Sequence, residues 1–154
     1  MSERDDNRHV NEYVTAMVGG QLFGLPILRV QDVFIPERLT RVPLSPPEVA
    51  GVLNLRGRIV TLIDVARRLE LERTIVEAQP MAIGVDAHGE SYALLIDSIG
   101  EVLKLDDKAR ESNPVNMDPR LARVSSGVYR LDAELLVVLD VDRVLELPSR
   151  AVAA

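Results

Sequence analysis

The side chains able to do chemistry in this 154-residue chain are few and scattered. Its two histidines are His9, in the polar start of the chain, and His88, in the turn-like stretch DAHGE. Neither has a nucleophile or a metal-ligating neighbour at a recognisable spacing, so solvated positions explain both. Ser125-Ser126 precedes Gly127 without the G-x-S-x-G spacing of a nucleophile elbow. GGQLFG (19–24) has neither the glycine spacing of a dinucleotide fingerprint nor the GK[ST] ending of a phosphate loop, and reads as a tight turn. Asp5-Asp6 and Asp106-Asp107 lack the spacing of a calcium loop and read as solvated acids. The chain has no cysteine, hence no disulfide, no thiol nucleophile and no zinc-thiolate site. No catalytic residue, metal or cofactor is expected.

One polar group is harder to dismiss. GVLNLRGRIVTLIDVARRLEL (51–71) reads as buried strand interrupted by Arg56-Gly57-Arg58. A tight hairpin turn with Gly57 at positive φ accommodates the interruption. An arginine at such a tip is usually just solvated, yet its planar fork beside apolar strands also makes a good anchor for a partner's carboxylate. Val30, Val33 and Leu39 are ambiguous in a similar way, fitting either core positions or an exposed apolar groove.

The elements that must hold these residues are short strands. Apolar residues make up 47% of the chain and aromatics only 3%, so the core is aliphatic and largely branched, which favours strands. YVTAMV, QLFGL and VQDVFI are strand-like, with Gly19-Gly20 as a turn and Pro26 and Pro36 as interruptions. Ser45-Pro46-Pro47-Glu48 has the form of a capped helix start. Val52 to Leu55 and Ile59 to Ile63 flank Arg56-Gly57, and Asp64 is placed to cap a short helix through Leu69.

An internal repeat organises the whole. Residues 51–71 align without gaps to GVYRLDAELLVVLDVDRVLEL (127–147), with Gly51/Gly127, Asp64/Asp140, Arg67/Arg143 and Leu69/Leu145 among the identical pairs, and Arg56 opposite Asp132. Asp64 and Asp140 are therefore read as two copies of one helix cap rather than as paired catalytic acids. FGLPILRVQDVF (23–34) resembles YALLIDSIGEVL (92–103), with Asp32 opposite Glu101 and Val33 opposite Val102. Each half thus reads as strand, bent strand, hairpin and Asp-capped helix, and two small packed barrels are expected. The expected layout is a mobile arm over 1–11, a body over 12–147 with halves near 12–75 and 79–147 whose strands can be exchanged between barrels, and a tail over 148–154. ERTIVEAQP (72–80) reads as the connector, and the stretch from 106 to 120 as a long polar loop whose order is left open.

Net charge −6 with no basic stripe and few aromatics argues against a nucleic-acid-binding barrel or an anionic membrane surface. MSERDDNRHVNE has no apolar signal-peptide region, and no run approaches the ~18 apolar residues of a membrane span, so an intracellular protein is expected.

FGLPILRVQDV (23–33), TRVPLSPPEVAGVLNLRGRIVTLIDV (40–65), YALLIDSIGEVLKL (92–105) and GVYRLDAELLVVLDVDRVL (127–145) resemble, in order, the CheW family of bacterial chemotaxis coupling proteins. The resemblance runs roughly from Tyr13 to Leu147, and G-V-x-N-L-R-G-x-I-V-x-x-I-D is its most specific piece. It implies a mainly β fold of two packed SH3-like five-stranded β-barrels with short helices. It also implies a non-enzymatic, cytoplasmic adaptor, recruited to membrane receptor arrays, that links chemoreceptor tips to the histidine kinase CheA. The kinase's regulatory domain is itself CheW-like, so docking would be barrel against barrel; self-association in rings is left open. By position, the resemblance implies a receptor-binding groove at Ile27, Val30, Asp32, Gly51, Arg56, Tyr92, Ile99 and Val102, and kinase docking near Val33, Leu39 and Thr40. A scaffold for a non-motility kinase pathway would share these features. Arg58 and Thr61 stand where relatives often carry an aliphatic residue and proline, and Ala50 where some carry a basic residue.

Overall fold

Runs such as YALLI and LLVVL are apolar at every position, a pattern that suits strands buried on both faces. The computed structural model describes residues 10–72 and 80–147. Among them are ten strands: β1 (Val10–Val18), β2 (Gln21–Pro26), β3 (Asp32–Phe34), β4 (Val49–Leu55), β5 (Arg58–Asp64), β6 (Met81–Ala87), β7 (Glu90–Ile96), β8 (Ser98–Asp106), β9 (Ser125–Arg130) and β10 (Leu135–Leu139). Three helices of a single turn, α1 (Val65–Arg68), α2 (Pro119–Ala122) and α3 (Val141–Val144), join them.

The strands form two five-stranded sheets, ordered β8-β1-β2-β10-β9 and β3-β6-β7-β5-β4. Each half of the chain places its first hairpin in the middle of one sheet and its remaining strands in the other. Hairpin β1–β2 is flanked by β8 and β10 from the second half, and hairpin β6–β7 by β3 and β5 from the first. The joins to the second hairpin of each repeat, β2 with β10 and β5 with β7, are parallel. The exchange of strands between barrels, which the sequence leaves open, is thus complete and reciprocal.

Each sheet curls until the chain beyond one edge strand meets the opposite edge. Thr40, after β3, exchanges both backbone hydrogen bonds with Val52 of β4, each 2.8 Å long. Glu111, after β8, does the same with Val128 of β9 at 2.8 and 2.9 Å. The result is two SH3-like barrels.

Alternate residues divide between cores. Phe23, Leu25, Val137 and Leu139 of the first sheet and Ile83, Tyr92, Leu94 and Ile96 of the second share one large apolar cluster. Their neighbours face inward to separate cores, Leu136 and Val138 with Tyr13 and Tyr129 in the first barrel, and Ala93 with Leu53, Val60 and Leu62 in the second. Polar ties reinforce the shared core. Arg68 at the end of α1 donates to the Val144, Arg143 and Glu146 carbonyls at 2.9, 3.0 and 3.0 Å, capping the end of α3 beside the Glu146 N–H that also meets the Arg143 carbonyl. Arg29 joins the barrels again, donating to Asp142 Oδ1 at 3.0 Å and to the Asp86 carbonyl at 3.1 Å.

Several local expectations change. Ser45-Pro46-Pro47-Glu48 starts no helix; the segment makes two turns, with Leu44 at φ 62° and the Ser45 hydroxyl donating back to the Val42 carbonyl at 2.8 Å instead of accepting from a helical N–H. Val10 and Asn11 belong to β1, where pairing with Asp106 and Leu105 holds them, so the arm cannot extend to 11. The strand expected in VQDVFI shrinks to Asp32–Phe34. The two repeated hairpins differ at their tips. Arg56 and Gly57, at φ 52° and 85°, make a two-residue turn, whereas Ala133 stands opposite Gly57 and the second hairpin uses the wider loop Leu131–Glu134. The stretch 106–120 holds a 3-10 turn at Asp107–Ala109, the Glu111 bridge and the start of α2. The residues expected as arm over 1–9, most of the connector (73–79) and the tail lie outside the described residues.

Candidate partner-binding surfaces

The β4–β5 hairpin carries its tip to the edge strand β3. Asn54 Oδ1 accepts from the Gly57 N–H at 2.9 Å, fixing the turn. Arg56 then lies across to β3, its Nη1 2.9 Å from Asp32 Oδ2. Arg56 is 78% exposed and Asp32 only 24%. Asp32 Oδ1 accepts from the Val33 N–H at 2.9 Å, while Oδ2 is buried with no aligned hydrogen bond, so the guanidinium beside it offsets the charge as an ion pair. A cleft of about 210 Å³ opens beneath this pair, floored by Leu55, Val60, Val85 and Tyr92. Its other wall is a chain in which Arg58 Nη2 donates to Ser91 Oγ at 2.6 Å and Ser91 Oγ donates to Asp86 Oδ1 at 3.3 Å. The Tyr92 ring enters the shared core, and its hydroxyl donates to Glu90 Oε2 at 2.7 Å.

The structure therefore gathers Asp32, Arg56 and Tyr92 of the expected groove around one cleft. Ile27, in a 3-10 turn over Ile27–Arg29, and Val30 and Ile99 are half-buried against the shared core of which Tyr92 is part. Val102 stands on the outer strand β8, 47% exposed. Gly51 lies apart from these, against Leu39 and the Thr40 carbonyl, where a Cβ would fall 2.5 Å from that oxygen. Of the kinase-docking set, Thr40 closes the second barrel through its backbone, and Val33 and Leu39 are 38% and 41% exposed, which resolves their ambiguity toward surface. Sequence reasoning missed that Ile35, Val42 and Leu44 are exposed in the same stretch of chain, and that Ile59 of β5 is exposed across a hollow it shares with Ile35. The signal was present in PERLTRVPLS, where apolar residues recur without a strand or helix period that would bury them.

The remaining polar candidates have structural work. The Asp64 and Asp140 side chains accept from the Arg67 and Arg143 N–H groups at 3.2 and 3.3 Å, capping α1 and α3 as the repeat implied. Ser125 Oγ donates to Asn113 Oδ1 at 2.6 Å and accepts from the Gly127 N–H at 3.1 Å, so it shapes a bulge. His88 sits at φ 53° in the β6–β7 turn. The Arg29 hydrogen bond holds the Asp142 carboxyl below its ordinary range. Burial lowers the Arg68 guanidinium from its ordinary value, partly countered by Glu48 and Glu146. Among the described residues no group of three or more His, Cys, Asp or Glu is gathered to hold a metal ion, and no helix is long and apolar enough to cross a membrane.

Two five-stranded barrels that share one core, with apolar side chains exposed on both and a cleft lined by Arg56 and Arg58 on the second, place the chain in the class of two-barrel β proteins. Residues 12–149 match the family model described as a CheW-like domain. Among curated relatives, the chemotaxis protein CheW of Treponema pallidum is 25% identical over 136 residues, covering 86% of this chain and 80% of that protein. CheW of Bacillus subtilis is 24% identical, covering 88% and 87%, and that of Helicobacter pylori 23% identical, covering 94% and 87%. The fold matches the crystal structure of the scaffolding protein CheW from Thermoanaerobacter tengcongensis with a TM-score of 0.80 at 23% identity, over 90% of this chain and 89% of that one. The chain belongs to the CheW family of chemotaxis scaffold proteins.

Proposed function

We propose that this protein couples the cytoplasmic tips of chemoreceptors to the histidine kinase CheA, without catalysing a reaction, as a cytoplasmic adaptor recruited to receptor arrays. The observation that carries the kinase half of this reading is the exposure of Val33, Ile35, Leu39, Val42, Leu44 and Ile59 on one barrel. Side chains of this kind, held on a rigid barrel and bordered by charged residues, suit a flat, well-packed protein contact. The repeat strengthens the argument. Gly127 meets Arg110 and Glu111 where Gly51 meets Leu39 and Thr40, so the copied surface of the other barrel is charged at the corresponding place. The fold does not require Leu39 to be apolar; a partner would. A receptor tip, a helical hairpin, would lie along Ile27, Val30, Ile99 and Val102, helix in groove.

The test is calorimetric titration against the regulatory domain of CheA from the same genome. We expect one-to-one binding at micromolar Kd or tighter, roughly −8 kcal/mol. Leu39→Glu should weaken it at least tenfold, about 1.4 kcal/mol, at an unchanged melting temperature. Absence of binding by the folded wild-type protein would remove the kinase from the proposal.

A further inference from the structure

Arg58 lines the cleft beneath Arg56 and Asp32 and belongs to neither the hairpin turn nor a core. It opens β5 one residue after Gly57 and is 66% exposed. Its one side-chain hydrogen bond among the described residues runs to the neutral Ser91 hydroxyl at 2.6 Å, and Asp86 Oδ1 pairs with its charge at 3.9 Å without a hydrogen bond. Arg56, on the same cleft, has one ion pair among the described residues, with Asp32. A guanidinium has five N–H donors, so both side chains keep donors beyond those these contacts use. The two carboxylates of the cleft are already engaged, Asp32 with the Val33 N–H and Arg56, and Asp86 with Ser91. The mouth therefore carries each guanidinium beside one acid, with more N–H donors than those two carboxylates take up, on a protein whose net charge is −6. Beneath them the floor is apolar and the cleft measures about 210 Å³.

Apolar walls below two pre-positioned guanidiniums match a side chain with a methylene stem and a terminal carboxylate, which arginine grips with two parallel hydrogen bonds. We propose that this cleft is the socket for one glutamate or aspartate side chain of the receptor tip, with Arg58 the residue that selects for the acid. That the carrier is a receptor tip rests on the function proposed above; the chemistry of the socket does not.

The test has two arms. In the first, the uniformly labelled protein is titrated by NMR with N-acetyl-glutamate amide and, separately, with the neutral N-acetyl-glutamine amide. Saturable shifts confined to the Arg56 and Arg58 side-chain N–H groups and the Ser91 amide are expected with the acid. The glutamine analogue should bind at least tenfold more weakly. Arg58→Gln, which keeps the stem and a donor for Ser91, should lose at least fivefold of the acid response with the rest of the spectrum unchanged, and Arg58→Leu should lose it altogether. No localised response, an equal response to the glutamine analogue, or tighter occupation by inorganic phosphate would overturn the proposal. In the second arm, a receptor-tip fragment from the same genome is titrated by calorimetry against wild type and Arg58→Gln, with a tenfold loss expected. A tip that binds both equally overturns the socket and leaves the adaptor reading intact. A tip that binds neither overturns the carrier, while the peptide arm still decides the socket.

Discussion

Tyr13 reaches Tyr129 inside the first barrel, hydroxyl to hydroxyl at 3.3 Å, with ring centroids 5.5 Å apart and planes tilted by 59°. The pair joins β1 from the first half of the chain to β9 from the second, among Leu136 and Val138. Burial first, and then the hydrogen bond with Tyr129, push the Tyr13 phenol well above its ordinary value of 10.0. The sign of the consequence follows from proton counting. Above about pH 10 the unfolded chain releases the Tyr13 proton while the folded protein keeps it, so stability is fully present below that pH and falls as pH rises, at a slope approaching about 1.4 kcal/mol per unit. Tyr13→Phe should cost about 1 kcal/mol near neutral pH through the lost hydrogen bond, and it removes this titration. Urea unfolding of both proteins from about pH 7 to about pH 11 should therefore show the gap between them closing above about pH 10. A gap that stays constant across that range would mean that the Tyr13 proton is not held by the fold.

At the scale of elements, the repeated bulges at Gly51 and Gly127 set how each barrel closes. Both glycines lie at positive φ, 154° and 145°, where the register slips against the partner strand or the closing segment comes close. A Cβ on Gly51 would fall 2.5 Å from the Thr40 backbone carbonyl, whereas one on Gly127 would first meet the flexible Arg110 side chain at 3.0 Å. Gly51→Ala should thus cost about 3 kcal/mol or more and Gly127→Ala about 1–2 kcal/mol, as read by chemical denaturation. Equal costs would show that the closing bridge at Thr40 gives way as readily as a side chain. These elements also mark where the sequence was legible. The caps at Asp64 and Asp140 and the turn at Arg56-Gly57 rest on chemistry within three residues, and they stand where the sequence places them. The same local logic fails at Ser45, because a capping hydroxyl serves any acceptor in reach and here Val42 offers one. The cleft was half legible. The family resemblance put Asp32, Arg56 and Tyr92 in one set, but the chain from Arg58 through Ser91 to Asp86 joins residues 33 and 5 positions apart by sheet pairing that no spacing encodes. Strand partners were illegible for a related reason. With both faces buried, the period-2 alternation that would assign a strand to one barrel disappears.

For the whole molecule, the reciprocal exchange means that neither half of the sequence contains a barrel. The fragment ending near residue 75 holds β3, β4 and β5, but lacks the β6–β7 hairpin that sits between β3 and β5. It also holds β1–β2 without the β8 and β10 strands that flank them. The second fragment has the complementary deficit, and hairpins without a sheet to join are marginal in water. Their two shared surfaces, the large common core and the Arg68 cap on α3, exist only when both halves are present. Separate expression of 1–75 and 76–154 should give two polypeptides without dispersed amide spectra, and equimolar mixing should restore the spectrum of the intact protein. Because one association then replaces an intramolecular step, the midpoint of thermal unfolding of the mixed fragments should rise with concentration, whereas that of the intact chain should not. Either fragment folding alone would require a barrel assembled from consecutive strands, and the pairing of β2 with β10 and of β5 with β7 would then have to be abandoned. The same exchange has a consequence for coupling. A partner that displaces the edge strand β3 pulls on a strand whose sheet neighbour, β6, belongs to the other half, while β2 of its own half lies in the first barrel beside β10. A load on one barrel is thereby shared with the other through covalent chain as well as through packing, as the adaptor role proposed above would require.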